Sequence, residues 1–248
     1  MTLKLPKIIG HRGAAAYAPE NTLEGIHTAA DMGVEWVELD VKLTKDQIPV
    51  IFHDDTLERT TNGSGSLANL TLEELRQYEC GSWFSDSFAG IKIPTLEEAL
   101  EVIIDRDLGF NMEIKPCPGR ERETAEAALD ILAQIWDDHN RILISSFSPI
   151  CMETALLMAH DWPRALLIGE DWPENLKEIK EYLELTCINV NAKTVQREQV
   201  EEITDMGLPI LAYTVNDAET ARRLLRWGVD GVFSDSPDII RETLFSVH

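Results

Sequence analysis

The chain has 248 residues, 44% apolar and 27% charged, an ordinary composition for one soluble globular domain with a sizeable core. Its formal net charge of −22 disfavours nucleic acid and anionic lipid as partners, so an anionic ligand requires a site that gathers positive charge locally. No apolar run approaches the roughly 20 residues of a membrane span, so no stable membrane association is expected.

Met1 to Pro6 lead straight into the first strand pattern, which leaves no room for a signal peptide. Cys80, Cys117, Cys151 and Cys187 are scattered singly, with no CxxC pair. They read as reduced, partly buried thiols and point to the cytoplasm.

Apolar β-type runs alternate with helical patterns from end to end, the mark of parallel βαβ units. Strands are predicted at residues 8–11, 36–42, 50–53, 110–115, 142–146, 165–168, 187–191, 210–215 and 231–234. Helix starts are predicted at Asn21 with Glu24, Thr71 with Glu74 and Thr95 with Glu98, each a capping residue followed three positions on by a carboxylate. Ser148, Asp171 or Pro173, and Asn216 open others.

Nine strands are one too many for a closed (β/α)8 barrel. Only Leu43 to Pro49 separate the second run from the third, too short for the dozen or so residues of a parallel crossover. The third run is therefore expected to return antiparallel through a turn centred on Asp46-Gln47, with residue 40 opposite residue 53. The stretch from Asp54 to Pro94, with its Gly/Ser/Asn loop and the aromatic segment Trp83 to Phe88, is expected to be a small insertion over the catalytic end of the barrel. Trp83 either contacts substrate there or packs the insertion's own core.

Strand alternation places Trp36, Glu38, Asp40 and Lys42 on one face, and likewise Glu113 with its neighbour Lys115. In a barrel these face inward while Val37, Leu39, Val41, Met112 and Ile114 face the outer helices. Glu38, Asp40 and Glu113 in one small volume need their repulsion and desolvation offset. A salt-bridge network with Lys42, Lys115 and Arg12 is one solution; a divalent cation is the other. An all-oxygen donor set favours Mg2+ or Ca2+ over zinc. His11 and His53 flank the cluster at two strand ends, and two imidazoles converging there can divide general acid and general base work near neutral pH. Arg12 and Lys115 supply the positive charge the composition otherwise lacks, suiting the site to a phosphate ester.

His11-Arg12-Gly13 followed by Pro19-Glu20-Asn21-Thr22, then Glu38-Leu39-Asp40, His53-Asp54 and Glu113-Ile114-Lys115, resemble the glycerophosphodiester phosphodiesterases of the short bacterial type. The segments Ser145 to Phe147, Tyr213 to Asn216 and Phe233 to Pro237 are also similar to that pattern. The resemblance runs from about residue 7 to 240. It implies a TIM-barrel phosphodiesterase with a small insertion after the second strand and its hairpin arm. It further implies an acid/base pair in His11 and His53, one divalent cation on Glu38, Asp40 and Glu113, and phosphate contacts from Arg12 and Lys115. The activity implied is hydrolysis of glycerophosphocholine, glycerophosphoethanolamine and similar deacylated phospholipids to glycerol 3-phosphate and an alcohol. The alternatives are a lysophospholipase D type acting on lysolipids, whose apolar groove Trp83, Phe84, Phe88 and Phe147 would suit, and a non-catalytic phosphodiester-binding barrel, which predicts a broken site position where none is broken here. Head-group preference, Mg2+ against Ca2+, and self-association into a homo-oligomer are left open by the sequence.

Overall fold

In a computed structural model, which describes residue 3 and residues 5–245, the strands form one sheet closed on itself. They are β1 (Ile8–His11), β2 (Trp36–Leu43), β3 (Pro49–Ile51), β4 (Gly109–Ile114), β5 (Ile142–Ser146), β6 (Arg164–Ile168), β7 (Cys187–Asn191), β8 (Ile210–Tyr213) and β9 (Gly231–Ser234). All but β3 run parallel, and β1 closes the ring by pairing with both β2 and β9. This is a (β/α)8 TIM barrel with helices between its strands and one antiparallel arm.

The strand period sorts side chains into three cores. Trp36, Leu143, Ala165, Leu211 and Phe233 pack together inside the barrel. Val37, Leu39, Val41, Met112 and Ile114 face outward against the helices. Leu57, Leu67, Leu75, Cys80 and Ile93 make a third cluster with Val50 and Phe52, so the segment after β3 carries a small core of its own. Gly109 is where the barrel admits the indole of Trp36: a Cβ there would lie 2.3 Å from that ring.

The hairpin arm forms, but its register differs from the expected one by a residue. Val41 faces Ile51 and Lys42 faces Val50, and the Phe52 amide donates to the Asp40 carbonyl at 2.9 Å. Residue 40 is therefore opposite residue 52. The cause is a three-residue turn centred on Asp46, in which Gln47 adopts φ 65° and the Ile48 amide donates to the Thr44 hydroxyl at 2.9 Å. The slip sends Phe52 into the insertion's core. His53 follows the strand instead of sitting in it.

Thr71 and Thr95 cap their helices as reciprocal boxes with Glu74 and Glu98, and Ser148 caps the helix Pro149–Met158. Two asparagines do not cap. The first helix, α1 (Leu23–Asp31), is capped by Thr22, whose hydroxyl accepts the Gly25 amide at 3.0 Å. The helix Ala218–Trp227 is capped by Asp217, not by Asn216. Helix Leu176–Tyr182 starts later than expected, after Asn175. Asn21 and Asn216 are held elsewhere, by the groups at the barrel mouth.

Candidate active site

β1 ends at the barrel's C-terminal mouth, and its last residues turn sharply. Arg12 takes a left-handed backbone (φ 51°), which points its amide at Glu38 Oε2, 3.0 Å away. Gly13 follows at φ 89°; a Cβ there would come within 2.5 Å of the Gly25 backbone, so this glycine lets α1 close against the loop. The Arg12 guanidinium then reaches Glu20 Oε1 at 2.7 Å and lies 3.3 Å from Asp40 Oδ2.

Glu38, Asp40 and Glu113 come together, with one oxygen from each within 4.8 Å of the others. All three are buried. Lys115 Nζ stands 2.8 Å from Glu113 Oε1 and 3.5 Å from Asp40 Oδ1. Lys42 does not join them; it pairs with Asp55 at 2.6 Å. Burial raises the Glu38 pKa well above the usual range, reinforced by Asp40 and Glu113, and burial likewise raises Glu113. Burial would raise Asp40 too, but Arg12 and then Lys115 and His53 hold it below the ordinary value.

These carboxylates thus titrate apart, and their charge is incompletely neutralised. Glu38 Oε1 is buried with no hydrogen-bond partner among the described residues. An orphaned carboxylate oxygen beside two further buried carboxylates, all hard donors, fits a divalent cation.

Each histidine is oriented by a carboxylate through Nδ1. His11 Nδ1 is 2.6 Å from Asp235 Oδ1, and Asn216 Nδ2 donates to the other oxygen of Asp235 at 2.6 Å. His53 Nδ1 is 2.5 Å from Asp54 Oδ1. Hydrogen bonds from Arg59 depress Asp54, and although burial opposes it, the contact with His11 depresses Asp235. Both acids are therefore ionised acceptors near neutrality, which keeps the proton on each Nδ1 and leaves each Nε2 available. Burial lowers the His53 pKa, so its neutral form is favoured. His11 Nε2 lies 3.9 Å from Glu38 Oε2, beside the cluster.

A cavity of about 120 Å3 opens among these groups, lined by His11, Arg12, Glu38, His53, Glu113 and Lys115 with side chains from deeper in the barrel. It shares His53, Glu113, Lys115 and Phe147 with a wider recess of about 540 Å3 that runs toward Asp54, Asp55 and Glu121. Phe147 is 45% exposed, with Lys115 Nζ 5.3 Å from its ring centroid and Tyr213 edge-on against it. Trp83 lines neither space. Its indole N–H donates to the Cys80 carbonyl at 2.9 Å, and its ring meets Phe84 edge to face within the insertion.

Sequence reasoning missed the groups that position the others: Asp235 and Asn216 behind His11, Asn21 behind Asp40, and Glu20 with Arg59 between the two loops. The signals were there without a role attached: Glu20 and Asn21 lie in the Pro19-Glu20-Asn21-Thr22 motif, and Asn216 and Asp235 in the two later segments similar to the family pattern.

Three buried carboxylates, two cationic side chains and two imidazoles held by carboxylates meet at one barrel mouth, an arrangement suited to the hydrolysis of phosphate esters. The glycerophosphoryl diester phosphodiesterase family model matches residues 11–239. A glycerophosphodiester phosphodiesterase of Caldanaerobacter subterraneus subsp. tengcongensis is 34% identical over 237 residues, covering 94% of this chain and 95% of that one. The structure of an Oleispira antarctica phosphodiesterase in complex with the product sn-glycerol-3-phosphate superimposes with a TM-score of 0.94 at 40% identity, over 98% of each chain. A glycerophosphodiester phosphodiesterase from Thermotoga maritima gives 0.77 at 29% identity, over 96% of this chain and 98% of the other. The chain belongs to the glycerophosphodiester phosphodiesterase family and is a phosphoric diester hydrolase.

Proposed function

We propose that the enzyme hydrolyses small deacylated phospholipids such as glycerophosphocholine and glycerophosphoethanolamine, releasing glycerol 3-phosphate and the head-group alcohol. The observation that carries this reading is the pair of imidazoles, each fixed by its own carboxylate, on one cavity with the Glu38–Asp40–Glu113 cluster.

Glu38, Asp40 and Glu113 would hold one Mg2+ or Ca2+, which supplies positive charge for phosphate and glycerol oxygens. Arg12 and Lys115 add fixed positive charge where the phosphate's oxygens gain negative charge. Although both cations lose solvation in the site, Asp40 and its neighbours raise their pKa, so both stay protonated. One histidine removes the proton from the nucleophile, water or the glycerol 2-hydroxyl, as the new P–O bond forms; the other protonates the departing alcohol oxygen as the old P–O bond breaks. On the 2-hydroxyl route water then opens the cyclic phosphate, with the two histidines exchanging roles, to give glycerol 3-phosphate. Asp235 and Asp54 hold the two imidazoles in the tautomer that work needs. Phe147 forms the wall between the inner cavity and the wider recess, where the head group would sit. Trp83, exposed in the insertion, is left without a role in this reading.

Four unpaired buried cysteines support a reducing compartment, the cytoplasm. Among the described residues no helix is long and apolar enough to cross a membrane. The test is glycerol 3-phosphate release from a panel of glycerophosphodiesters, with EDTA treatment and metal add-back. Release that EDTA abolishes and Mg2+ or Ca2+ restores is expected; release unaffected by EDTA would refute the metal assignment.

A further inference from the structure

The inner cavity carries two side chains that the proposed chemistry leaves unused. Asn111 lies on β4 two residues before Glu113, on the same face and one layer deeper; Asn189 lies on β7. Both line the cavity, and they are 1% and 0% exposed. Asn111 Nδ2 donates to Ser145 Oγ at 2.9 Å, and Asn189 Oδ1 accepts from the Cys187 thiol at 3.6 Å. Asn111 Oδ1 and Asn189 Nδ2 have no partner among the described residues. Turning either carboxamide over would only exchange which of its atoms is unpaired.

Buried polar atoms without partners cost stability, and the neighbouring walls, Leu167 and Phe233, show that apolar side chains fit at this depth. The barrel does not need amides here. The unpaired atoms instead point to a ligand group, whose chemistry can be read from what they offer. One neutral acceptor and one neutral donor suit neither a phosphate, for which Arg12 and Lys115 stand at the rim, nor an ammonium. They suit a hydroxyl, which donates and accepts.

We propose that Asn111 and Asn189 are specificity-determining residues that receive the terminal hydroxyl end of the substrate's glycerol arm, with Asn111 Oδ1 accepting and Asn189 Nδ2 donating. This rests on the glycerophosphodiester reading above. The enzyme then selects a diester whose glycerol is free at that end, and an acyl group there meets a buried polar floor in a cavity of about 120 Å3.

The test compares glycerophosphocholine with 2-hydroxypropyl phosphocholine, which keeps the inner hydroxyl and lacks the terminal one. The wild-type enzyme should favour glycerophosphocholine in kcat/KM by roughly tenfold or more, because the deoxy substrate leaves the buried pair unsatisfied. Asn189→Leu and Asn111→Leu should lose most of that preference, with glycerophosphocholine falling toward the deoxy substrate. Equal treatment of the two substrates by the wild type would overturn the proposal, as would parallel losses in the variants, the pattern of carboxamides that only hold a water. If a leucine variant fails to fold, Asn189→Ala and Asn111→Ala carry the same comparison, because a cation on Glu38, Asp40 and Glu113 would also favour a free hydroxyl and only loss of the preference in the variants assigns it to the asparagines. Lack of wild-type turnover on any diester would instead sink the functional reading.

Discussion

Asn21 and Asp40 grip each other twice. Asn21 Nδ2 donates to Asp40 Oδ2 at 2.8 Å, and the Asp40 amide donates to Asn21 Oδ1 at 3.1 Å. Both residues are buried, and Asn21 adopts φ 56° to make the contact. The loop after β1 thereby fixes the rotamer of a carboxylate on β2. Asn21→Ala removes both bonds and frees Asp40 to swing, so divalent-cation affinity should fall roughly tenfold or more. Titration calorimetry with Mg2+ and Ca2+ checks this; unchanged affinity would show that Asp40 is held by Arg12 and Lys115 alone.

The carboxylate cluster couples stability to pH. Glu38 and Glu113 have folded pKa values raised above their unfolded ones, Glu38 strongly. The metal-free folded state therefore keeps protons that the unfolded chain has lost, and stability falls as pH rises from the ordinary carboxylate range through the raised values. Asp40, depressed, acts in the opposite sense only at pH below its ordinary value of 3.8. His53, whose pKa burial lowers, acts in the opposite sense over the same range. Thermal melts of EDTA-treated protein from about pH 5 to 8 are therefore compared with those of Glu38→Gln. The wild type should gain less Tm, or lose more, as pH rises than the variant does. Cation binding should release protons and stabilise most at the alkaline end. An identical pH dependence of Tm in the wild type and in Glu38→Gln, both without metal, would contradict the raised carboxyls.

Arg59 bridges two loops far apart in sequence. Its guanidinium contacts Glu20 at 2.7 and 2.8 Å and Asp54 at 2.7 and 2.9 Å, joining the loop after β1 to the segment that carries His53. The Arg59 side chain is 44% exposed, so solvent weakens these pairs, and Arg59→Ala should cost no more than about 1 kcal/mol of stability. Asp54 would lose the partner that depresses it most, loosening the orientation of His53. A fall in kcat well beyond the change in Tm is expected. Equal, small changes in both would reduce the bridge to a surface contact.

The sequence disclosed the barrel because periodicity is local: β1, β5, β7 and β9 occur over the same residues that their apolar runs predict. The site's charged residues were legible for the same reason, since Glu38, Asp40 and Glu113 stand at alternating positions near strand ends. What failed was local reasoning about residues held by distant groups. Asn21 and Asn216 have the chemistry of helix caps, yet their side chains hold Asp40 and Asp235 while Thr22 and Asp217 cap the helices. The His11–Asp235 contact spans 224 positions in the chain, and only closure of β9 onto β1 brings it about. The hairpin slip had a similar origin: turn length, which hydrophobic pattern does not report, set the register.

The central claim is that His11 and His53 share proton transfer across a phosphodiester seated at the carboxylate cluster. The most direct test is single-turnover hydrolysis of glycerophosphocholine by His11→Ala and His53→Ala, with cation binding measured on the same samples. Each variant should bind the cation nearly as the wild type does and lose roughly a hundredfold or more in rate. Near-normal turnover in either variant, with the fold and cation site intact, would contradict the paired-histidine account.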